Sequence, residues 1–148
     1  MTAMRWAAMV ALSTVCAATL QADLKRARAE ANLEKRSQLA LENAMQAYQG
    51  ARAAYEKGET AKVTEAVAEI EESVQLAGDS LRETGKDPRR NPKYFKKAEI
   101  GTRDLLRKLD NFQQEMDFTE RPALDKVKAA VQQVHDDLLL GLMEGKHK

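Results

Sequence analysis

Apolar side chains recur at alternating steps of three and four residues through most of this 148-residue chain. That spacing is the period of one face of an α-helix. Four such stripes follow one another: Leu41, Ala44, Tyr48, Ala51 and Tyr55; Val63, Val67, Ile70, Val74, Ala77 and Leu81; Phe95, Ala98, Thr102, Leu105, Leu109, Phe112 and Met116; Leu124, Val127, Val131, Val134 and Leu138. Because each stripe is buried only when another helix covers it, the sequence predicts an all-α fold.

Glycine and proline interrupt the stripes at Gly58, in residues 85–92 and in residues 117–122. The pieces between these breaks predict four helices, at roughly 33–57, 60–84, 92–117 and 120–144. Helices of about 25 residues are about 37 Å long and match one another in length. Since the connections are short, the sequence favours an up-down antiparallel four-helix bundle formed by one domain, residues 23–148.

Residues that typically begin or end helices stand at the predicted bounds. Asn91 precedes Pro92, Thr119 precedes an opening turn that contains Pro122, and Gly145 follows the last stripe. The first helix differs from the others, because a helix that begins at Leu24 would overhang its partners by about nine residues, or about 13 Å. Such an extension is a projecting or frayed helix, a tether or a partner-binding arm. Alternatively, Asn32 caps a helix that begins at Leu33, with the preceding residues loosely held.

The N-terminus has the pattern of a secretory signal peptide, which we predict at residues 1–22. Arg5 precedes an apolar stretch from Trp6 to Val15 that is too short to span a bilayer. Cleavage after Ala22 is the first choice and cleavage after Ala18 the alternative; an uncleaved anchor and a lipid anchor on Cys16 fit the pattern less well. Removal of this segment leaves no cysteine and no tryptophan, and therefore no disulfide or cysteine-based chemistry.

The mature chain has 23 acidic and 23 basic residues, so it has no net charge that would attract polyanions, and we expect no nucleic-acid partner. The charges alternate by segment: residues 23–58 carry +2, 59–84 carry −5, 85–108 carry +6 and 109–148 carry −3. In a square bundle of sequential neighbours, each basic helix would lie between two acidic ones, which predicts charge complementarity between helices. An apolar stripe does not specify which helix covers it, so packing completed between chains, and with it a homo-oligomer, stays open.

The segment Ala54-Tyr55-Glu56-Lys57-Gly58-Glu59 resembles the turn between the two helices of a tetratricopeptide hairpin. The resemblance covers one hairpin, from Leu39 to Leu81, and the later segments do not repeat it at the family's period of 34 residues. It implies a helix-turn-helix at this place in the chain.

A basic cluster interleaved with Tyr94 and Phe95 is the most distinctive local feature: Lys86, Arg89, Arg90, Lys93, Lys96 and Lys97. The last three fall in the first turns of a predicted helix, where the helix dipole disfavours cations by about 0.3–1 kcal/mol each. Such a helix start is suited to an anion, whether a phosphate, a lipid headgroup, a carboxylated polysaccharide or an acidic protein. The structural alternative is that these bases pair with the acidic second and fourth helices.

Catalytic and metal-binding residues are sparse. His135 and His147 are the only histidines, and no cysteine nucleophile or Gly-x-Ser-x-Gly motif is present in the mature chain. Met45 and His135 are a candidate haem pair on facing helices, although a methionine at this spacing is usually core. The sequence therefore predicts an exported protein that is not an enzyme and needs no cofactor. We expect it to bind an unknown protein or an anionic envelope component, with a small-ligand or haem-binding periplasmic bundle as the alternative.

Overall fold

The computed structural model describes residues 23–145, and the predicted signal peptide, with Cys16, and His147 lie outside the described residues. The described part has no strand and contains five α-helices: α1 (Leu24–Ala29), α2 (Leu33–Glu56), α3 (Thr60–Glu83), α4 (Pro92–Glu115) and α5 (Asp125–Glu144). The four long helices pack as a bundle, which confirms the predicted all-α four-helix fold with an N-terminal helical extension. None of the helices within residues 23–145 has both the length and the apolar character that a membrane span requires.

The helices form two hairpins, α2 with α3 and α4 with α5. Between the hairpins, α2 packs beside α4 and α3 packs beside α5, whereas α3 and α4 contact each other little. The connection from α3 to α4 therefore crosses the bundle diagonally at one end. This arrangement differs from the sequential square that the charge pattern predicted, because the two basic segments, α2 and α4, lie side by side.

The buried stripes agree closely with the sequence in the second hairpin. Every position of the third predicted stripe, from Phe95 to Met116, is buried, and so is every position of the fourth, from Leu124 to Leu138. In α2 the buried face is displaced, because Leu41 and Tyr55 are only partly buried. The α2 positions buried in addition are small or polar: Ser37, Ala40, Asn43, Ala47 and Ala54.

Residues 23–32 do not form the predicted overhang. The Asn32 side chain accepts a hydrogen bond from the Lys35 N–H (2.9 Å), so α2 begins at Leu33, as the alternative prediction held. The short helix α1 turns back and buries Leu24 and Ala27 against Ala40 of α2 and Ala77 of α3. The extension is therefore docked on the first hairpin rather than loosely held.

The other helix ends differ in how well the sequence anticipated them. Gly145 ends α5 with a φ of +82°, as predicted. Asn91 precedes α4 as predicted, but its side chain makes no capping hydrogen bond. The prediction for Thr119 is wrong, because a 3-10 helix over Arg121–Leu124 intervenes and α5 begins only at Asp125.

Candidate functional site

The predicted basic cluster lies at the end of the bundle where the chain crosses from α3 to α4. The chain leaves α3 through Gly85, whose φ of +66° is in the left-handed region that favours glycine. Asp87 then organises a tight turn: its carboxylate accepts from the Arg89 N–H (2.9 Å), and its carbonyl accepts from the N–H groups of Arg90 (3.1 Å) and Asn91 (2.9 Å). The loop that presents the cations is thus held by its own hydrogen bonds.

This loop rests on the C-terminal end of α5. Pro88 is buried, and its Cγ lies 3.1 Å from where a Cβ on Gly141 would be. A Cβ on Gly145 would lie 3.1 Å from Cδ of Arg89 and 3.2 Å from the Asp87 carboxylate. Gly141 and Gly145, four residues apart, therefore allow the loop to pack closely against the end of α5. A glycine inside a helix and a second glycine at its end are the sequence signal for this close approach, and neither residue was among those predicted for the site.

One of the six predicted cations is paired across the bundle. The Lys86 ammonium lies 2.6 Å from the Glu34 carboxylate in the first turn of α2. This ion pair joins the loop to the basic helix α2 and not to an acidic helix. Lys86 therefore helps to fix the loop, and it is less free than its neighbours to bind a partner.

The other five cations have no carboxylate within 4.0 Å among residues 23–145: Arg89, Arg90, Lys93, Lys96 and Lys97. The predicted alternative, that the cluster pairs with the acidic α3 and α5, is therefore not seen in this part of the chain. Two of the five stack on an aromatic ring, since the ammonium groups of Lys93 and Lys97 lie 5.2 and 5.6 Å from the centre of the Tyr94 ring. All five are exposed.

Arg52, in the last two turns of α2, is by contrast a cation with several partners inside the bundle. Its guanidinium donates to the Tyr48 hydroxyl (3.3 Å), pairs with Glu115 and lies 5.3 Å from the centre of the Phe112 ring. The hydrogen bonds to Tyr48 and Glu115 raise the pKa of Arg52 above its ordinary value. No comparable set of partners surrounds Arg89 or Arg90 among the described residues.

A cleft of about 330 Å³ lies under the same loop. Its apolar wall consists of Leu81, Phe95, Val134 and Leu138, contributed by α3, α4 and α5. The charged groups at the cleft belong to the following residues: Arg82, Lys86 and Asp137. The basic end therefore combines a charged outer surface with a small apolar recess.

The two residues of the haem hypothesis lie on helices at opposite corners of the bundle. His135 of α5 is buried against α4, where its Nδ1 lies 3.2 Å from the Thr102 hydroxyl and 3.9 Å from the Glu99 carboxylate. Met45 of α2 is partly buried and packs against the main core. The imidazole is thus engaged within the α4–α5 hairpin. Among residues 23–145, no group of three or more His, Cys, Asp and Glu side chains is arranged to hold a metal ion.

No protein-family model matches this sequence, and no curated protein matches it at a significant level.

Proposed function

We propose that this chain is an exported, non-enzymatic binding protein that contacts an anionic partner in the cell envelope through the basic end of the bundle. The observation that carries the proposal is the group of five exposed cations in residues 89–97 that no described carboxylate neutralises. Elsewhere on the bundle, Arg28, Arg52 and Lys128 are paired with carboxylates of neighbouring helices. Cations such as Lys57 and Lys108, which have no carboxylate partner among the described residues, are not clustered along the chain.

The position of the cations adds support. Lys93, Lys96 and Lys97 lie in the first two turns of α4, and the first turn contains no acidic residue. There the positive end of the helix dipole adds to the mutual repulsion of the lysines. An anion bound at the start of α4 would therefore stabilise the protein more than an anion bound at another part of its surface. Since the mature chain has no net charge, such binding would depend on the local cluster and not on a general attraction to polyanions.

The test is the salt concentration at which the purified protein elutes from an immobilised polyanion. We expect Arg89→Gln, Arg90→Gln, Lys93→Gln and Lys97→Gln together to lower that concentration clearly, because four contacts to anionic groups are lost. The matched control replaces four exposed lysines outside the cluster by glutamine: Lys25, Lys57, Lys62 and Lys126. Equal elution of the two variants, or no retention of the wild type, would contradict the proposal.

Two further measurements address the partner and the compartment. A pull-down of the tagged protein from envelope extract at low and high salt should recover a partner only at low salt. Mass spectrometry of the N-terminus of the protein recovered from cells should show cleavage after Ala22 or Ala18, whereas an intact N-terminus would contradict export by a cleaved signal.

A second candidate function is small-ligand binding, and the cleft under the loop is the observation that favours it. Its wall is apolar and its size suits a small ligand rather than a macromolecule. A ligand of this cleft should raise the melting temperature, and Phe95→Ala should abolish the shift. For the haem alternative, the expected observation is a Soret band that Met45→Ala and His135→Ala each alter.

A further inference from the structure

The exposed large apolar side chains are concentrated on one hairpin. Five such side chains are found among residues 23–145, and four of them belong to α4 and α5: Ile100, Leu139, Leu140 and Met143. Ile100 is 53% and Met143 68% exposed. The fifth, Phe118, lies in the loop between α4 and α5, beyond the other end of α4. None of the four lines the cleft under the basic loop.

The register between α4 and α5 places three of these side chains at the same height along the bundle as the cations of residues 89–97 that have no described carboxylate partner. Asp125 accepts a hydrogen bond from Gln113 (2.7 Å), and ten residues later His135 lies opposite Thr102. Because the helices are antiparallel and rise equally per residue, Leu139 lies level with residue 98 and Met143 with residue 94. Met143, Leu140 and Leu139 are therefore at the height of Lys93, Lys96 and Lys97.

The directions in which these residues lie around the helix axes also bring the apolar side chains and the cations to one surface. His135 faces Glu99, and Leu139 and Met143 follow His135 at steps of four on the same side of α5. Lys96 precedes Glu99 by three residues, so it lies on the outer face of α4 at the edge nearer to α5. On the outer face of α4, Ile100 continues the row that begins with Lys93 and Lys96 and goes on to Arg103 and Arg107. Cations and exposed apolar groups thus alternate over one continuous surface.

We infer that this surface, which we call the α4–α5 face, docks on a lipid bilayer that contains anionic phospholipids. The inference rests on the proposed function and names its partner. Lysine and arginine would bind the phosphate groups, and Ile100, Leu139 and Met143 would enter the boundary between headgroups and acyl chains.

The basic end of the face is complementary to such a surface, since residues 89–97 contain five cations and no carboxylate. The acidic residues nearby in the register belong to the loop and to α5: Asp87, Asp136, Asp137 and Glu144. Further along α4, Glu99 and Asp104 are paired with Arg103 and Arg107.

The shape of the surface favours a bilayer over an acidic protein. The apolar side chains stand on two helices, and none of them lines the cleft under the basic loop or the cleft beside Tyr55 and Met116 at the other end of the bundle. The carboxylates on α5 are engaged as well, since Gln132 donates to Asp136 (2.7 Å) and Gln133 donates to Asp137 (3.0 Å). A fluid surface of phosphates accommodates scattered anchors of this kind without a matching shape.

The experiment is flotation of the purified protein with vesicles of phosphatidylcholine, with and without phosphatidylglycerol. The protein is used as cells produce it, and its N-terminus is determined by mass spectrometry. We expect binding to the anionic vesicles only, and a loss of about fivefold in affinity for each of Arg89, Arg90, Lys93 and Lys97 replaced by glutamine. Ile100→Ser with Met143→Ser should weaken vesicle binding at least about tenfold while retention on the immobilised polyanion stays unchanged.

The matched control is Phe118→Ser, which removes an exposed apolar side chain from the opposite end and should leave vesicle binding unchanged. Because all three substituted side chains are exposed, the variants should keep the wild-type helical circular dichroism spectrum. Retention on the polyanion without vesicle binding, or vesicle binding that Ile100→Ser and Met143→Ser leave intact, would overturn the bilayer inference and leave the proposed function standing. A wild type that binds neither vesicles nor polyanion would overturn both, and equal binding to neutral vesicles would overturn the role of the cations.

Discussion

The two hairpins of the bundle differ in one helix, because α2 packs mainly with small side chains, whereas its partner α3 buries large ones such as Ile70 and Leu81, as α4 and α5 do. The α2–α3 hairpin makes the most extensive helix contact in the described part of the chain, and α2 contributes alanines at steps of three and four, Ala40, Ala44, Ala47, Ala51 and Ala54. The α4–α5 hairpin is filled by leucine, valine and phenylalanine, including Leu109 and Phe112. Small side chains let helix axes approach closely, whereas large ones hold them further apart.

Each hairpin also contains a buried polar contact between its two helices. In the first, the Asn43 amide donates to the Ser73 hydroxyl (2.9 Å). In the second, His135 contacts Thr102. Every buried side-chain nitrogen and oxygen within residues 23–145 has a hydrogen-bond partner, so these groups do not mark a vacant site.

The two hairpins also differ in the side chains that they expose to solvent. The first hairpin, with α1 docked on it, exposes none of the large apolar side chains that are exposed in the described part. The second buries leucine, valine and phenylalanine, and its outer surface has four of the five exposed large apolar side chains of the described part and three of the five unpaired cations of residues 89–97. We therefore expect the alanine face of α2 to resist enlargement, and the large buried side chains of the second hairpin to resist truncation.

The largest expected effect is the truncation of the second hairpin's core. Leu109→Ala should lower the free energy of unfolding by about 2–5 kcal/mol, because Leu109 is fully buried and its loss leaves a cavity. Leu139→Ala, in the same hairpin but exposed, should change it by less than about 0.5 kcal/mol. Denaturant unfolding measures both, and equal effects would contradict the assignment of the core.

Enlargement of the first hairpin should come next. Ala51→Leu should destabilise by about 1–3 kcal/mol, because the added carbons have no space between closely packed helices. Ala53→Leu is the matched control, since Ala53 lies on the exposed side of the same helix and should be nearly neutral. A stabilising Ala51→Leu would show that the small side chains do not set the helix spacing.

Two glycines within helices test the contact between the hairpins. Gly50→Ala should stabilise by about 0.8–1 kcal/mol, because nothing lies within 4 Å of the added Cβ and alanine favours helix. At Gly78 of α3 the added Cβ would lie 3.0 Å from Cγ1 of Val134 in α5, so the same gain is opposed by a clash. We expect Gly78→Ala to be at least about 1 kcal/mol less stable than Gly50→Ala by thermal or chemical unfolding. A matching gain at both positions would show that α3 and α5 are not in close contact there.

The smallest expected effect concerns the docked extension. The N–H of Asn32 bonds to the Glu30 carboxylate and, with Lys35, lowers the pKa of Glu30 below its usual value of 4.5. The stability contributed by the ionised group is present above pH 4.5 and is lost as the pH falls through the lowered pKa. The difference in unfolding free energy between wild type and Glu30→Gln should therefore be small at neutral pH and vanish in acid. A difference that persists in acid would indicate a role independent of the charge.

The helices and their cores were largely predictable, because both depend on local spacing. Three of the four long helices begin at the predicted residue and end within two residues of the predicted end. The stripes of α4 and α5 were correct at every position because large apolar residues mark them clearly. The buried face of α2 was missed in part, since alanine is common on both sides of a helix and identifies a packed face only when the partner is known.

The neighbours of each helix were decided by the tertiary structure alone. An apolar stripe does not specify which helix covers it, and charges summed over whole segments do not determine individual ion pairs. The sequence by itself determined the helices, their lengths, the breaks between them and the basic cluster, because these follow from residue spacing over a few turns. Only the tertiary structure placed α2 beside α4, folded α1 back, seated Pro88 on Gly141 and brought Met143 to the height of Lys93, because each of these depends on contacts between residues distant in the chain.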